Sequence, residues 1–280
     1  MSAAHRHHFV PQFYLREWHD PDGGGFWLYY RDRNGKIRLR RRPAKSVAYL
    51  DDLYSLIPDG LTTPSTVEVD LVETAFFSKV DHLAAKAHAK LLCGGLGSLD
   101  VEEKSSFAIF LISLTLRHPA EIEKNIAHAQ QLFPASPKNG LDRHSTLIRN
   151  TVLKTMVESI VDPQFVHYLL SMRWCLVSIP FEEEHFLTSD KPLLINGGKD
   201  TPDSPILLLS IALSPKKLLI LHAEDEQFTD DFVRTLAILH SPLIAERAEK
   251  HLISAKQIKN GRFVQYEKII TEMLGTSNKL

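Results

Sequence analysis

The chain predicts an α+β fold: an N-terminal extended arm and β-hairpin, a central α-helical bundle, and a C-terminal mixed or antiparallel sheet with late helices. Three observations lead there. A hairpin signature occupies residues 25–42, long segments of helical period fill 61–171, and from 172 the apolar residues come in short runs broken by Pro, Gly and Asp. Strand and helix signals are segregated along the sequence, which disfavours a regular alternating α/β fold. The 280 residues read as one domain with subregions 1–60, 61–171 and 172–280.

The chain opens with "HRHHFVPQFYLREW" (5–18), unusually rich in special side chains for a terminus. In "GFWLYYRDRNGKIRLRRR" (25–42), two strand-like runs flank Asn34-Gly35, a dipeptide that tolerates the positive φ values of a type I′ turn. On the return strand Ile37 and Leu39 alternate with Lys36, Arg38 and Arg40, so one face is strongly basic. Residues 43–60 read as irregular chain with short extended pieces. Residues 66–92 predict an amphipathic helix whose stripe is Val69, Val72, Phe76, Val80, Leu83, Ala87 and Leu91. Gly94, Gly95 and Gly97 end it, and Ser98 or Asp100 can cap the next helix, about 100–117, which is apolar nearly all round. His118-Pro119 stops or kinks that helix. Further helices are expected at about 120–132, 142–160 and 162–171, with the turn-rich "PASPKNG" between the first two. Strands follow in "RWCLVSIP", "HFLTSD", "PLLIN", "PILLLSIALS" and "KKLLILHA", then helices at about 229–239 and 242–253.

Thirty-three basic residues against thirty-four acidic ones give a net charge of −1, so a generic polyanion-binding surface is not expected. A local patch remains: Arg38, Arg40, Arg41 and Arg42, with Lys45, could attract nucleic acid or another phosphate-bearing ligand. The same charges could instead keep an exposed edge strand from aggregating. Cys93 and Cys175 are isolated, with no CxxC, which argues against a disulfide scaffold or zinc ribbon and points to the reducing cytoplasm. No signal-peptide core is present, and "FAIFLISLTL" and "ILLLSIALS" are too short to span a bilayer, so no membrane association is expected. Walker A, G-x-G-x-x-G, H-E-x-x-H, EF-hand and kinase signatures are all missing.

Several polar residues are candidates for chemistry. His5, His7 and His8 could ligate a divalent metal, but successive side chains of an extended segment point to opposite faces, so His7 and His8 would not share one ion. One of them is expected to face a site and the other to make a structural hydrogen bond. His8 could align with Gln12, and Arg16 could pair with a carboxylate or a phosphate. Glu73 falls at the edge of its helix's apolar stripe, with Phe76 and Phe77 at i+3 and i+4; such desolvation raises a carboxyl pKa and makes a general base or a metal ligand. Asp70 and Asp81 read as more solvent-facing. Arg117 ends an apolar helix, either as a cation on the helix C-terminus or as a guanidinium clamp for a carboxylate or phosphate. Thr188, Ser189 and Asp190 stand at a strand end before Pro192, a place for a turn or a functional carboxylate; Ser189 lacks the nucleophile-elbow context G-x-S-x-G.

These motifs together resemble domain-of-unknown-function family 4238. The resemblance runs through "HHFVPQFYLREW", "DDLYS" with Tyr54, "VEVDLVETAFFSKVD" with Glu73, "LRHP" with Arg117, "FLTSDKP" and "LSPKKLLIL". It extends to "HSPLIAERAEKHLIS" (240–254), where family members often carry Asn at the place of Ser241. The resemblance implies a family fold and a shared polar set, and supplies no reaction. That set, His7, His8, Gln12, Tyr54, Glu73, Arg117, Ser189 and Asp190, is expected to converge on one pocket. The expected chemistry is that of a metal-dependent hydrolase acting on phosphodiesters, nuclease-like. His7, His8, Glu73, Arg117 and Asp190 would be catalytic, and Gln12, Arg16, Tyr54 and Ser189 would bind substrate. His8, Glu73 and Asp190 would hold a divalent metal. The alternative is a non-catalytic binding module in which the same residues form a buried network that pins the arm to the core.

Overall fold

The computed structural model describes residues 5–20, 22–58, 69–134, 141–179, 185–197, 206–223 and 229–258. The first three residues of the predicted 66–92 helix, most of the "PASPKNG" turn and the tail beyond 258 lie outside them. The architecture is α+β with antiparallel sheets. Strand β1 (Arg6–His8) pairs with β4 (Tyr49–Asp51) as a two-stranded ribbon. Strands β2 (Phe26–Arg31), β3 (Ile37–Arg42), β6 (Thr188–Ser189) and β10 (Leu252–Ser254) form a sheet in the order β3-β2-β10-β6. Strands β5 (Arg173–Ser178), β7 (Leu193–Gly197), β8 (Ile206–Ser214) and β9 (Lys217–His222) form another in the order β5-β9-β8-β7.

The hairpin forms as expected, but its turn differs. Gly35 alone has positive φ (+74°), the Gly35 N–H donates to the Asp32 carbonyl at 2.9 Å, and the Asp32 N–H donates to the Lys36 carbonyl at 2.9 Å. This is a type I turn followed by a bulge glycine, not a type I′ turn. Asp32 makes the difference: its carboxylate accepts the Asn34 N–H at 2.9 Å and the Lys36 N–H at 3.0 Å, so the side chain holds a right-handed turn. At the entrance to β2, Gly25 has φ +81°, and a Cβ there would lie 2.3 Å from the Arg42 carbonyl oxygen. Gly25→Ala is therefore expected to destabilise the fold by roughly 2 kcal/mol, read as a lower denaturant midpoint at unchanged slope.

The helical layer contains α1 (Gln12–Leu15), a π-helical turn at Val72–Phe77 that runs into α2 (Ser78–Gly94), then α3 (Val101–Leu116), α4 (Pro119–Leu132), α5 (Leu141–Ile160) and α6 (Pro163–Ser171). Asp100 caps α3 in a reciprocal capping box with Glu103. Arg117 ends α3 in helical conformation, and His118 caps α4 with Pro119 at its first position, so the predicted stop is a sharp corner. The π turn changes the predicted stripe. It adds one residue to a turn, so Phe77, Val80, Ala84, Ala87 and Leu91 face the core, while Leu83 is exposed.

The late helices also differ from expectation. One helix, α7 (Asp230–Arg247), runs through Pro242, and the stretch predicted to continue it becomes β10, paired with Tyr29, Leu28 and Trp27 on one side and with Ser189 and Thr188 on the other. The main core cluster gathers residues from Phe9 to Ile253. Trp18 and Tyr14, both fully buried, fasten the arm to β6 and its approach: Trp18 Nε1–H donates to the Phe186 carbonyl at 3.0 Å, and the Tyr14 and Thr188 hydroxyls lie 2.8 Å apart. No helix among the described residues is long and apolar enough to cross a membrane.

Candidate functional site

The arm reaches the helices through backbone pairing. His7 and His8 stand opposite Leu50 and Tyr49, and their side chains alternate as in any strand: His7 is buried and His8 only partly so. The next segment returns to meet them. The Tyr54 N–H donates to His7 Nδ1 at 3.0 Å, the two rings stack with centroids 5.6 Å apart, and the Tyr54 hydroxyl donates to the Arg117 carbonyl at 2.8 Å. Arg149 fixes this segment from α5 by donating to the carbonyls of Leu53 at 2.8 Å, Ser55 at 2.5 Å and Asp52 at 3.4 Å. Two non-glycine residues in left-handed backbone, Ala48 (φ +54°) and Asp52 (φ +53°), bracket β4, so its placement stores backbone strain beside the site.

Behind this arm lie two carboxylates and one guanidinium. Arg117 is fully buried, its Nη1 donates to Asp81 Oδ1 at 2.9 Å, and its Nε and Nη2 have no protein partner. Glu73 sits in the π turn, where the Ser78 N–H bonds back to the Glu73 carbonyl, and its buried Oε2 has no partner either. The π turn also explains why the two acids come within electrostatic range of each other. Eight residues of regular α-helix would put Glu73 and Asp81 roughly 80° apart, but absorbing one residue leaves an effective seven and an offset of roughly 20°. Asp81, expected at the surface, instead shares the Arg117 charge with Glu73. Asp70, likewise expected to face solvent, accepts His5 Nδ1–H at 2.8 Å and the Ser55 hydroxyl at 3.0 Å.

The electrostatics follow from burial against a single cation. Glu73 is pushed up to about 7, first by burial and then by the Asp81 and Asp70 carboxylates, with Arg117 pulling the other way. Burial also raises Asp81, against the opposing charge and hydrogen bond of Arg117. It raises the Tyr54 hydroxyl and lowers both His7 and His8, so the two imidazoles are neutral near pH 7. The Lys45 backbone hydrogen-bonds the His8 ring, and Arg117 acts on that ring electrostatically. Two donor nitrogens on Arg117 and one acceptor oxygen on Glu73 are thus unsatisfied within electrostatic range of one another.

The donor groups that come within metal-ligating reach of one another are His5, His7 and Asp70, whose candidate atoms lie within 4.8 Å; His8, Glu73 and Asp190 do not form such a group among the described residues. The first set does not suit a cation well. Because the Tyr54 N–H points at His7 Nδ1, that nitrogen's lone pair is engaged and the neutral ring carries its proton on Nε2. His5, Asp70 and Ser55 form a hydrogen-bonded clasp on the arm.

Asp190 is placed differently from the other polar residues. Its Oδ1 accepts the Glu249 N–H at 3.0 Å, and its Oδ2 accepts the N–H groups of Lys250 at 2.7 Å and His251 at 3.1 Å. Burial still raises it to about 6, with the Glu249 carboxylate adding to the rise and the three backbone N–H groups opposing it. Ser189, fully buried, accepts the Lys191 N–H at 3.0 Å. Gln12 contacts His8 Nδ1 at 3.5 Å and accepts from the exposed Arg16 at 3.4 Å, so this pair flanks His8. The basic strand β3 is a sheet edge: Arg38 is paired with Asp32 at 2.6 Å, Arg41 with Asp20 at 2.7 Å, and Arg40 lies over the Tyr30 ring. Two of the four arginines are therefore already neutralised.

A family model described as "Protein of unknown function (DUF4238)" matches residues 6–255. The chain belongs to the DUF4238 family. No curated protein and no solved structure matches it. The DUF4238 match begins in β1 and ends one residue past β10, so it takes in every element that builds the site, from His7 to Arg149. Sequence reasoning missed Asp81, Asp70 and Arg149. Asp81 is displaced by a π turn that no period reveals. The carbonyls that Arg149 holds lie 94 to 97 residues away.

Proposed function

We propose that this DUF4238 protein is a hydrolase that binds a phosphate-bearing substrate at Arg117 and uses Glu73 as its general base, with phosphodiesters, nuclease-like, as the substrate class. The carrying observation is the set of orphaned atoms: a buried guanidinium with two unpaired donor nitrogens and, within its electrostatic reach, a carboxylate with one unpaired oxygen. Buried polar groups are normally satisfied, so such a set suits a ligand that supplies both acceptor and donor atoms. A phosphoryl group with an attacking water does so: its oxygens accept from Arg117 Nε and Nη2, and the water donates to Glu73 Oε2. A carboxyl with pKa about 7 is half ionised at neutral pH, strong enough as a base to take the proton of that water as it attacks phosphorus. Arg117 then neutralises charge that builds on the phosphoryl oxygens, and the departing oxygen takes its proton from solvent. The arrangement needs no metal ion. Two cysteines outside any disulfide suit a reducing, cytoplasmic setting.

The test is cleavage of an aryl phosphodiester and of single-stranded oligonucleotides, with and without EDTA. Cleavage is expected to persist in EDTA and to fall roughly 100-fold or more in Arg117→Lys, which keeps the charge but loses the fork. Absence of cleavage, or cleavage abolished by EDTA, would overturn this reading. A second reading has its own observation. The Arg117 guanidinium carbon lies 5.4 Å from the Phe77 ring centre and 5.9 Å from that of Phe110, a packing that suits a non-catalytic module with Arg117 as a structural post. On that reading Arg117→Lys lowers stability and no cleavage is found in any variant.

A further inference from the structure

A second reactive arrangement lies on the other large sheet, away from Glu73 and Arg117. Cys175 in β5 pairs with Ile220 of β9, and His222 is two residues further along that strand, so the two side chains are diagonal neighbours on one sheet face. Cys175 Sγ is 3.6 Å from His222 Nε2, and His222 Nδ1 is 2.8 Å from the Ala223 carbonyl oxygen. A carbonyl can only accept, so Nδ1 carries the proton, and Nε2 turns its lone pair toward the thiol. His222 is almost wholly buried, which holds the ring in register, while Cys175 is half-buried on the edge strand of its sheet. Nucleophile, base and a third group that orients the base are therefore all in place.

We propose that Cys175 is an activated thiol, a modification site for hydroperoxides and soft electrophiles. The proton passes from Sγ to His222 Nε2, and the thiolate attacks one oxygen of the hydroperoxide. An S–O bond forms as the O–O bond breaks, and the departing oxygen takes the proton from Nε2. The thiol is oxidised to a sulfenic acid and the hydroperoxide is reduced to the alcohol, or to water from hydrogen peroxide.

Cys93, exposed near the C-terminal end of α2, is the internal reference. The whole chain is exposed briefly to iodoacetamide at neutral pH and the two cysteine peptides are quantified by mass spectrometry. A parallel sample receives equimolar hydrogen peroxide with dimedone. Cys175 is expected to be alkylated roughly ten times faster than Cys93 although it is less exposed, and to be the main dimedone adduct. His222→Gln should remove that preference. Cys93 reacting as fast as Cys175, or a preference that survives in a folded His222→Gln, would overturn the proposal. If the variant fails to fold, the competition within the unmodified chain decides alone. Neither outcome bears on the phosphodiester reading.

Discussion

Glu73→Gln is expected to make the protein more stable at pH 8, by on the order of 3 kcal/mol, while removing its acid–base chemistry. The sign follows from linkage. The Glu73 carboxyl is pushed from the ordinary 4.5 to about 7 on folding, so the folded chain holds that proton more tightly than the unfolded one. Its favourable contribution is full below about 4.5 and is lost as the pH rises through 7, where ionisation leaves a buried carboxylate that shares one guanidinium with Asp81. Glutamine has nothing to ionise, so the variant escapes the loss. Denaturant unfolding of both proteins from pH 4 to pH 9 should give curves that meet at the acid end and separate through neutrality. Groups such as Asp190 and His118 titrate alike in both proteins and cancel. A variant less stable than the parent at every pH would identify the carboxylate as a structural acceptor, and the general-base assignment would fall.

Asp190→Ala is expected to cost roughly 3–5 kcal/mol of folding stability. Three backbone N–H groups, of Glu249, Lys250 and His251, donate to this one carboxylate. Removing it leaves them without their acceptor just where the chain turns into β10. Asp190→Asn should fall between the two, since its oxygen keeps part of the set while its amide meets a backbone donor. Thermal and urea unfolding measure both. A loss below about 1 kcal/mol for the alanine variant would show that other groups seat the 249–251 backbone.

Elements with a local signature were legible from the sequence. Asn34-Gly35 marked a turn, though of another type, Asp100 a helix cap, and His118-Pro119 a corner, because each is decided within a few residues. A raised Glu73 carboxyl was expected from its place at the edge of an apolar stripe, and burial does raise it. What escaped was set over long range or by a change of period. Leu252 and Ile253 read as the end of a helix because their apolar spacing allows it, yet pairing with Leu28, Tyr29, Thr188 and Ser189, and the carboxylate of Asp190, decide for a strand. The approach of Asp81 to within electrostatic range of Glu73 depends on one residue absorbed in a π turn. A helical wheel with constant pitch separates them.

The position of β10 between β2 and β6 has a consequence for synthesis. The hairpin is made before the strand that pairs with its inner edge, which follows more than two hundred residues later, since Ser254 faces Trp27. Throughout that interval the growing polypeptide carries an unfilled slot flanked by Phe26, Leu28 and Tyr29, a ready substrate for chaperones and a hazard for self-association. Premature termination anywhere before residue 252 therefore yields not a shortened protein but one with its inner sheet unclosed.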